Sequence, residues 1–260
     1  MNNEQMQRLI EKAARLIIQS NRIVVFTGAG ISTESGIPDF RGPDGLWSKF
    51  DPEDFTIQRF LKNEESRKIH WKVFRAGGLT KEALPNAAHY AIAEMERLCK
   101  LDCIITQNVD NLHQKAGNST EKIFELHGNF KRVRCLDCGQ ILTIEEVMSK
   151  FEIEEIPVCD KCAGILKPDV VFFGEALPQK VLEDANYHSR HCDLFIVIGS
   201  TLVVYPAAYM PVYAIEAGAK LIVINLGSTP LDHHAELFIN DKAGETMEQI
   251  VNFVKRRFSN

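Results

Sequence analysis

Residues 27–41, TGAGISTESGIPDFR, carry the chain from an apolar, strand-like run into a loop of small residues and then into charge. The run before it, Ile23, Val24, Val25 and Phe26, is rich in β-branched residues, as in a strand buried on both faces of a parallel sheet. Gly28 and Gly30 then allow backbone N–H groups to approach an anion closely, so the segment reads as a phosphate cradle. It departs from the dinucleotide fingerprint. Thr33 stands where a third glycine is expected, and no acidic residue follows at the usual distance on a clear second strand. Taken alone, a tight strand-to-helix turn explains the stretch equally well.

Three further strand-like runs end in the same way. CIIT leads into Gln107, Asn108, Val109 and Asp110; LFIVI into Gly199, Ser200 and Thr201; and LIVI into Asn225, Leu226 and Gly227. Amphipathic segments at 87–98 and 245–258 lie between or after them. Strands alternating with helices predict a parallel α/β sheet with right-handed crossovers. Open parallel sheets bind ligands beyond the carboxyl ends of their strands, where these four polar clusters converge, and a dinucleotide-sized ligand is the natural occupant.

With 260 residues, 45% of them hydrophobic and 25% charged, the chain can bury a large core. The net charge of -5 argues against a general nucleic-acid surface, although Lys131, Arg132 and Arg134 form a local basic cluster. The N-terminal segment places Met6, Leu9, Ile10, Ala13, Leu16 and Ile17 on one helical stripe, unlike the compact apolar stretch of a signal peptide, so a cytoplasmic protein is expected. Residues 194–215 carry no charge over a membrane-spanning length, but Gly199, Ser200, Thr201, Pro206 and Pro211 interrupt them. A buried strand, a polar turn and a packed helix fit better, and no membrane partner is expected.

Cys135 and Cys138 are separated by two residues, as are Cys159 and Cys162, with twenty residues between the pairs. Such knuckles present four thiolates to one tetrahedral ion, and zinc is the usual tenant. Disulfides and an iron–sulfur cluster are the alternatives. Four cysteine ligands leave no position for a reacting water, so one structural zinc is expected, closing an insertion with few apolar residues of its own. Cys99, Cys103 and Cys192 are read as small buried hydrophobes.

GAGISTESGIPDFRG, TQNVDNLHQKAG, ELHGN, the paired cysteine knuckles, KPDVVFFGE, GSTLVVYPAA and VINLG occur in this order over residues 20–245. In this the chain resembles the sirtuins, NAD-dependent protein-lysine deacylases, and particularly their shorter bacterial and archaeal members. The resemblance implies a Rossmann-like parallel sheet with a smaller zinc-ribbon plus helical domain inserted. The large domain would comprise residues 1–40, 86–130 and 168–260, and the small one 41–85 (helical) and 131–167 (zinc-binding), in a single catalytic unit.

It also implies NAD as cosubstrate and acyl-lysine proteins or peptides as partners, with nicotinamide and O-acetyl-ADP-ribose as products. By the same resemblance His127 is the general base toward a ribose hydroxyl, and the other seven histidines are taken as structural or surface residues. Asn108 orders the ribose and a water, Asp110 holds the carboxamide with Val109 beside it, and Gln107 binds ribose hydroxyls. Gly28, Ala29, Gly30, Thr33, Phe40 and Arg41 make the cofactor loop; Gly199, Ser200, Thr201, Asn225, Leu226 and Ala243 receive the adenosine half. Val171, Phe172, Phe173, Gly174 and Glu175 on one side, and Val204 and Tyr205 on the other, form edges between which the peptide adds as a strand. One of Phe172 and Phe173 lines the acyl-lysine tunnel, and the other is a core residue.

The succinyl- and malonyl-preferring branch carries a Tyr-x-x-Arg pair that SRKIHWKVFRAGG lacks. Trp71 and Phe74 are expected to give an apolar wall suited to acetyl or longer neutral chains. Two rival readings remain: a related ADP-ribosyltransferase, and a non-enzymatic zinc-ribbon module binding nucleic acid or protein.

Overall fold

The computed structural model describes residues 3–40, 42, 45–48, 51–75, 83–152 and 155–258. Its strands are β1 (Ile23–Thr27), β2 (Leu101–Thr106), β3 (Ile123–Glu125), β4 (Gly128–Cys135), β5 (Ile141–Thr143), β6 (Leu166–Val170), β7 (Leu194–Ile198), β8 (Lys220–Ile224) and β9 (Leu237–Ile239). The α-helices are α1 (Asn3–Gln19), α2 (Ile57–Lys62), α3 (Glu64–Arg75), α4 (Ala87–Arg97), α5 (Leu112–Ala116), α6 (Ile144–Met148), α7 (Gln179–His191), α8 (Tyr209–Glu216) and α9 (Ala243–Phe258).

Six strands form a wholly parallel sheet in the order β3-β2-β1-β7-β8-β9. All five residues of β1 and of β7 are buried, as befits central strands covered on both faces. One face packs against α1, α4 and α9, where Ile10, Ile17, Ile92, Met95, Met247 and Ile250 meet Val25 and Ile196. The other carries α7 and α8, with Ala185, Met210 and Ala214 against Phe26, Phe195 and Val197. The four expected strands are all present. The order reverses beside β1, so the loops after β1, β2 and β7 open into one crevice, as expected at such a switch point.

A second, antiparallel sheet of order β5-β4-β6 carries the cysteine knuckles. Its apolar core is shared: Trp71 and Phe74 of α3 pack with Val133, Leu142, Val147, Phe151 and Leu166. This corrects the expectation for Trp71, which is fully buried in that core and does not line the acyl wall. Cys103 and Cys192 are buried as expected, and burial pushes the Cys192 thiol up to about 12. Cys99 instead is exposed, just beyond the end of α4. Among the described residues no helix is long and apolar enough to cross a membrane.

Candidate active site

The crevice is a cavity of about 630 Å³. At its base the ends of β1 and β7 almost touch: Gly30 N–H donates to the Gly199 carbonyl at 2.8 Å. Gly199 adopts φ +63°, and a Cβ there would lie 2.2 Å from the Ile31 nitrogen, so only glycine fits this approach. The chain after β1 then turns directly into a 3₁₀ helix, Ala29–Ser35.

The segment after β2 follows the sheet for one more residue, Gln107 N–H donating to the Thr27 carbonyl at 3.0 Å. The Gln107 amide donates to Ser200 Oγ at 2.9 Å. The Asn108 amide donates to the Gly28 carbonyl (3.1 Å) and Ser32 Oγ (3.2 Å). Asp110 is buried and accepts from Ser32 Oγ–H (2.7 Å) and Leu112 N–H (2.9 Å). Burial raises its carboxyl above the usual aspartate value, and these two donors oppose the rise.

His127 sits between β3 and β4, with Nδ1 3.0 Å from the Gln107 carbonyl oxygen. Burial lowers its pKa below the ordinary 6.5, partly offset by that carbonyl, so the ring is neutral at pH 7. The next residue, Gly128, has φ +78°, and a Cβ would meet the Asp169 carbonyl oxygen at 1.9 Å. Glycine there lets β6 cross immediately behind the histidine.

The predicted residues Gly28, Ala29, Gly30, Thr33 and Phe40 line this cavity, as do Gln107, Asn108, Val109, Asp110 and His127. Gly199, Ser200, Thr201, Asn225, Leu226 and Ala243 line it too, together with Val171, Phe172, Phe173, Gly174, Glu175, Val204 and Tyr205. Arg41 lies outside the described residues. Both phenylalanines reach the cavity, Phe172 as a buried residue and Phe173 as an exposed one.

Residues without a recognisable motif complete the lining. Ile69, His70, Val73 and Phe74 come from α3, and Ile37, Leu46, Phe55 and Phe130 join them. His70 stacks on Phe172 at 4.8 Å, with Nε2 2.7 Å from the Asp54 carbonyl oxygen. Helical spacing on α3 puts residues 69, 70, 73 and 74 on one face, the signal that could have found them.

The four cysteine sulfurs lie within 4.8 Å of one another, with Cys135–Cys162 at 3.5 Å and Cys138–Cys159 at 3.7 Å. Tetrahedral zinc with bonds of about 2.3 Å separates its sulfurs by about 3.8 Å, so the cluster fits one zinc. The knuckles are alike: Gly139 N–H donates to the Cys135 carbonyl and Ala163 N–H to that of Cys159. Of the basic cluster, Arg132 and Arg134 both pair with Asp169, and Arg132 also with Glu125.

A doubly covered parallel sheet, a glycine-lined cavity at its switch point and a four-cysteine ribbon define a nucleotide-binding α/β protein with a structural metal module. A model of the Sir2 family matches residues 28–206, and the chain belongs to that family. It is 47% identical over 258 residues to NAD-dependent protein deacylase 2 of Archaeoglobus fulgidus, covering 96% of this chain and 98% of the relative. It is 45% identical over 250 residues to the NAD-dependent protein deacetylase of Thermodesulfovibrio yellowstonii, covering 95% of each. A solved structure described as "Sir2-p53 peptide-NAD+" matches with a TM-score of 0.85 at 39% identity, over 95% of this chain and 99% of that one.

Proposed function

We propose that this chain is an NAD-dependent protein-lysine deacetylase that transfers the acyl group to ADP-ribose and releases nicotinamide. One observation carries the reading: a neutral, half-buried imidazole, two carboxamides and a buried carboxylate face a single cavity that also reaches a glycine-lined loop. The lining suits NAD: the Gly28 and Gly30 N–H groups are taken by the Ile198 and Gly199 carbonyls, so these two residues serve the phosphates by leaving room where side chains would stand, with Ser200 and Asn225 for the adenosine half and Asp110 accepting from a carboxamide NH2. When bound, NAD supplies an electrophilic ribose carbon with nicotinamide as its leaving group.

In this reading His127 accepts a ribose hydroxyl proton. A backbone carbonyl can only accept, so Gln107 fixes the proton on Nδ1 and leaves Nε2 as the base. Asn108 and Gln107 orient the ribose and Phe40 shields its reactive face, while Arg41, outside the described residues, belongs by the family resemblance near the phosphates. Thr33, Ala29, Val109, Gly199, Thr201, Leu226 and Ala243 complete the coenzyme's surroundings. The substrate peptide lies between residues 171–175 and Val204–Tyr205 by main-chain pairing, so sequence selectivity is weak. The apolar wall of Ile69, Val73, Phe74 and Phe55 also favours longer neutral acyl chains as a second substrate class. The two-domain division at residues 41–85 and 131–167, and a cytoplasmic location that keeps the metal thiolates reduced, belong to the same reading.

Incubation with NAD and an acetyl-lysine peptide tests it. Free nicotinamide and deacetylated peptide should appear in equal amounts; nicotinamide without loss of peptide mass indicates ADP-ribosyl transfer or hydrolysis and overturns it.

A further inference from the structure

The loop leaving β6 is tied to three parts of the site. Val171 N–H donates to the carbonyl of His127 at 2.9 Å. Phe173 N–H donates to the Phe55 carbonyl, and Ile57 N–H donates to the Phe173 carbonyl, each at 3.0 Å. Phe172 packs edge-on against Phe60 at 5.3 Å and flat against His70. One loop thus joins the catalytic histidine to the helical side of the crevice.

At its base stands Lys167, only 4% exposed despite its charge. Its ammonium lies 3.0 Å from Glu175 Oε2, donates to the carbonyls of Pro168 (3.2 Å) and Val170, and sits 4.4 Å from the centre of the Phe172 ring. Those three acceptors use all three donors of an ammonium group. The same Glu175 oxygen accepts the Phe172 N–H at 2.6 Å. The ion pair therefore closes residues 167–175 on themselves, with the aromatic ring held over the cation. Burying an ammonium is costly unless its partners are held in place, so this loop geometry and the pair stand or fall together.

We propose that Lys167 is a positioning residue for substrate: paired with Glu175, it holds residues 170–175 in the shape in which the Val171 carbonyl and the Gly174 backbone, not the groups already bonded within the loop, meet an extended acyl-lysine peptide. This rests on the deacetylase reading above. Lys167 itself does not line the cavity and acts through Glu175, Phe172 and the backbone. The coenzyme end is built from the loops after β1, β2, β7 and β8, so the effect falls on peptide and not on coenzyme.

The test uses the full zinc-loaded chain with Lys167→Met, which keeps length and removes charge. Anisotropy of a labelled acetyl-lysine peptide and steady-state kinetics should show peptide Kd and KM raised about tenfold or more, with the KM for NAD and kcat within about threefold. Peptide Kd and KM within about twofold of the parent overturn the proposal. So does an equal rise in both KM values, which marks general loosening. Should Lys167→Met fail to fold, Glu175→Gln, which keeps an acceptor for the Phe172 amide, must show the same one-sided rise, and its absence is equally fatal. If the parent binds the peptide but does not deacetylate it, the deacetylase reading fails, while the anisotropy comparison still decides the role of Lys167.

Discussion

His127 Nδ1 lies 3.0 Å from the backbone carbonyl oxygen of Gln107, the first residue beyond β2. The histidine's tautomer is thereby set by the sheet and not by a mobile side chain. The same peptide segment carries Asn108 and Asp110, so under the proposed function one strand end aligns the proton acceptor with the coenzyme contacts.

Replacing His127 with Ala removes the proposed proton acceptor and leaves β3 paired with β2, and β4 with β5 and β6. Deacetylation should fall by about 100- to 10,000-fold, the usual worth of a positioned general base. Zinc content and thermal midpoint should match the parent. A variant retaining full turnover in a peptide mass assay refutes the assignment.

The pH dependence follows from the lowered pKa of His127. Under the proposed function its neutral form is the active one, and burial, which resists protonation, lets that form persist below the ordinary value of 6.5. In a kcat/KM profile the activity should hold from pH 8 down to about 6.5 and fall only at lower pH. An acid limb centred above pH 7 contradicts this.

Acyl selectivity follows from the α3 wall. Ile69, Val73 and Phe74 offer no hydrogen bond to a distal carboxylate, whose desolvation would go uncompensated. Acetyl-lysine should exceed succinyl-lysine in kcat/KM by about tenfold or more on paired peptides. Comparable rates disprove the wall's role.

Zinc should hold the ribbon and, through it, the acyl end of the cavity. Cys135 is buried among Trp71, Phe74 and Val133, and Phe74 also lines the cavity. Cys135→Ala, or prolonged chelation, should release the metal, lower the thermal midpoint and abolish turnover together. A metal-free variant with parental activity shows the ribbon to be dispensable.

Two buried histidines should make the fold acid-sensitive. His89 is held to about 4 by burial; His113, with its ring centre 5.1 Å away, lies well below its ordinary value through burial and then through His89. The unfolded chain takes up protons below pH 6.5 that the folded chain refuses, so stability is complete above 6.5 and declines toward pH 4. At about 1.4 kcal/mol per proton and pH unit, His89 alone accounts for about 3 kcal/mol across that range. Urea midpoints should fall over this interval and fall less in His89→Gln; identical slopes contradict the assignment.

Much of this was legible because the chemistry sits at strand ends. A buried parallel strand is a dense run of β-branched residues, and the small or polar residues after it mark where the crevice opens. The strands β3 and β9 escaped notice because three residues each carry too little pattern to separate from a loop. Trp71 was misplaced because helical spacing alone does not say which neighbour an apolar face meets; the cysteine ribbon, distant in sequence, covers it. Cys99 failed for the opposite reason, since apolar neighbours in sequence do not bury a residue that follows a helix end. Lys167 opens the motif KPDVVFFGE, yet its pairing with Glu175 depends on a loop turning back upon itself, which no periodicity encodes.

Under the proposed function the crevice beside His127 grips NAD, and calorimetric titration of the zinc-loaded protein with NAD decides whether it does. A single saturable site is predicted, lost in a Gly199→Val variant whose side chain would collide with the loop after β1. No heat of binding up to millimolar coenzyme, with folded and fully metallated protein, contradicts the claim.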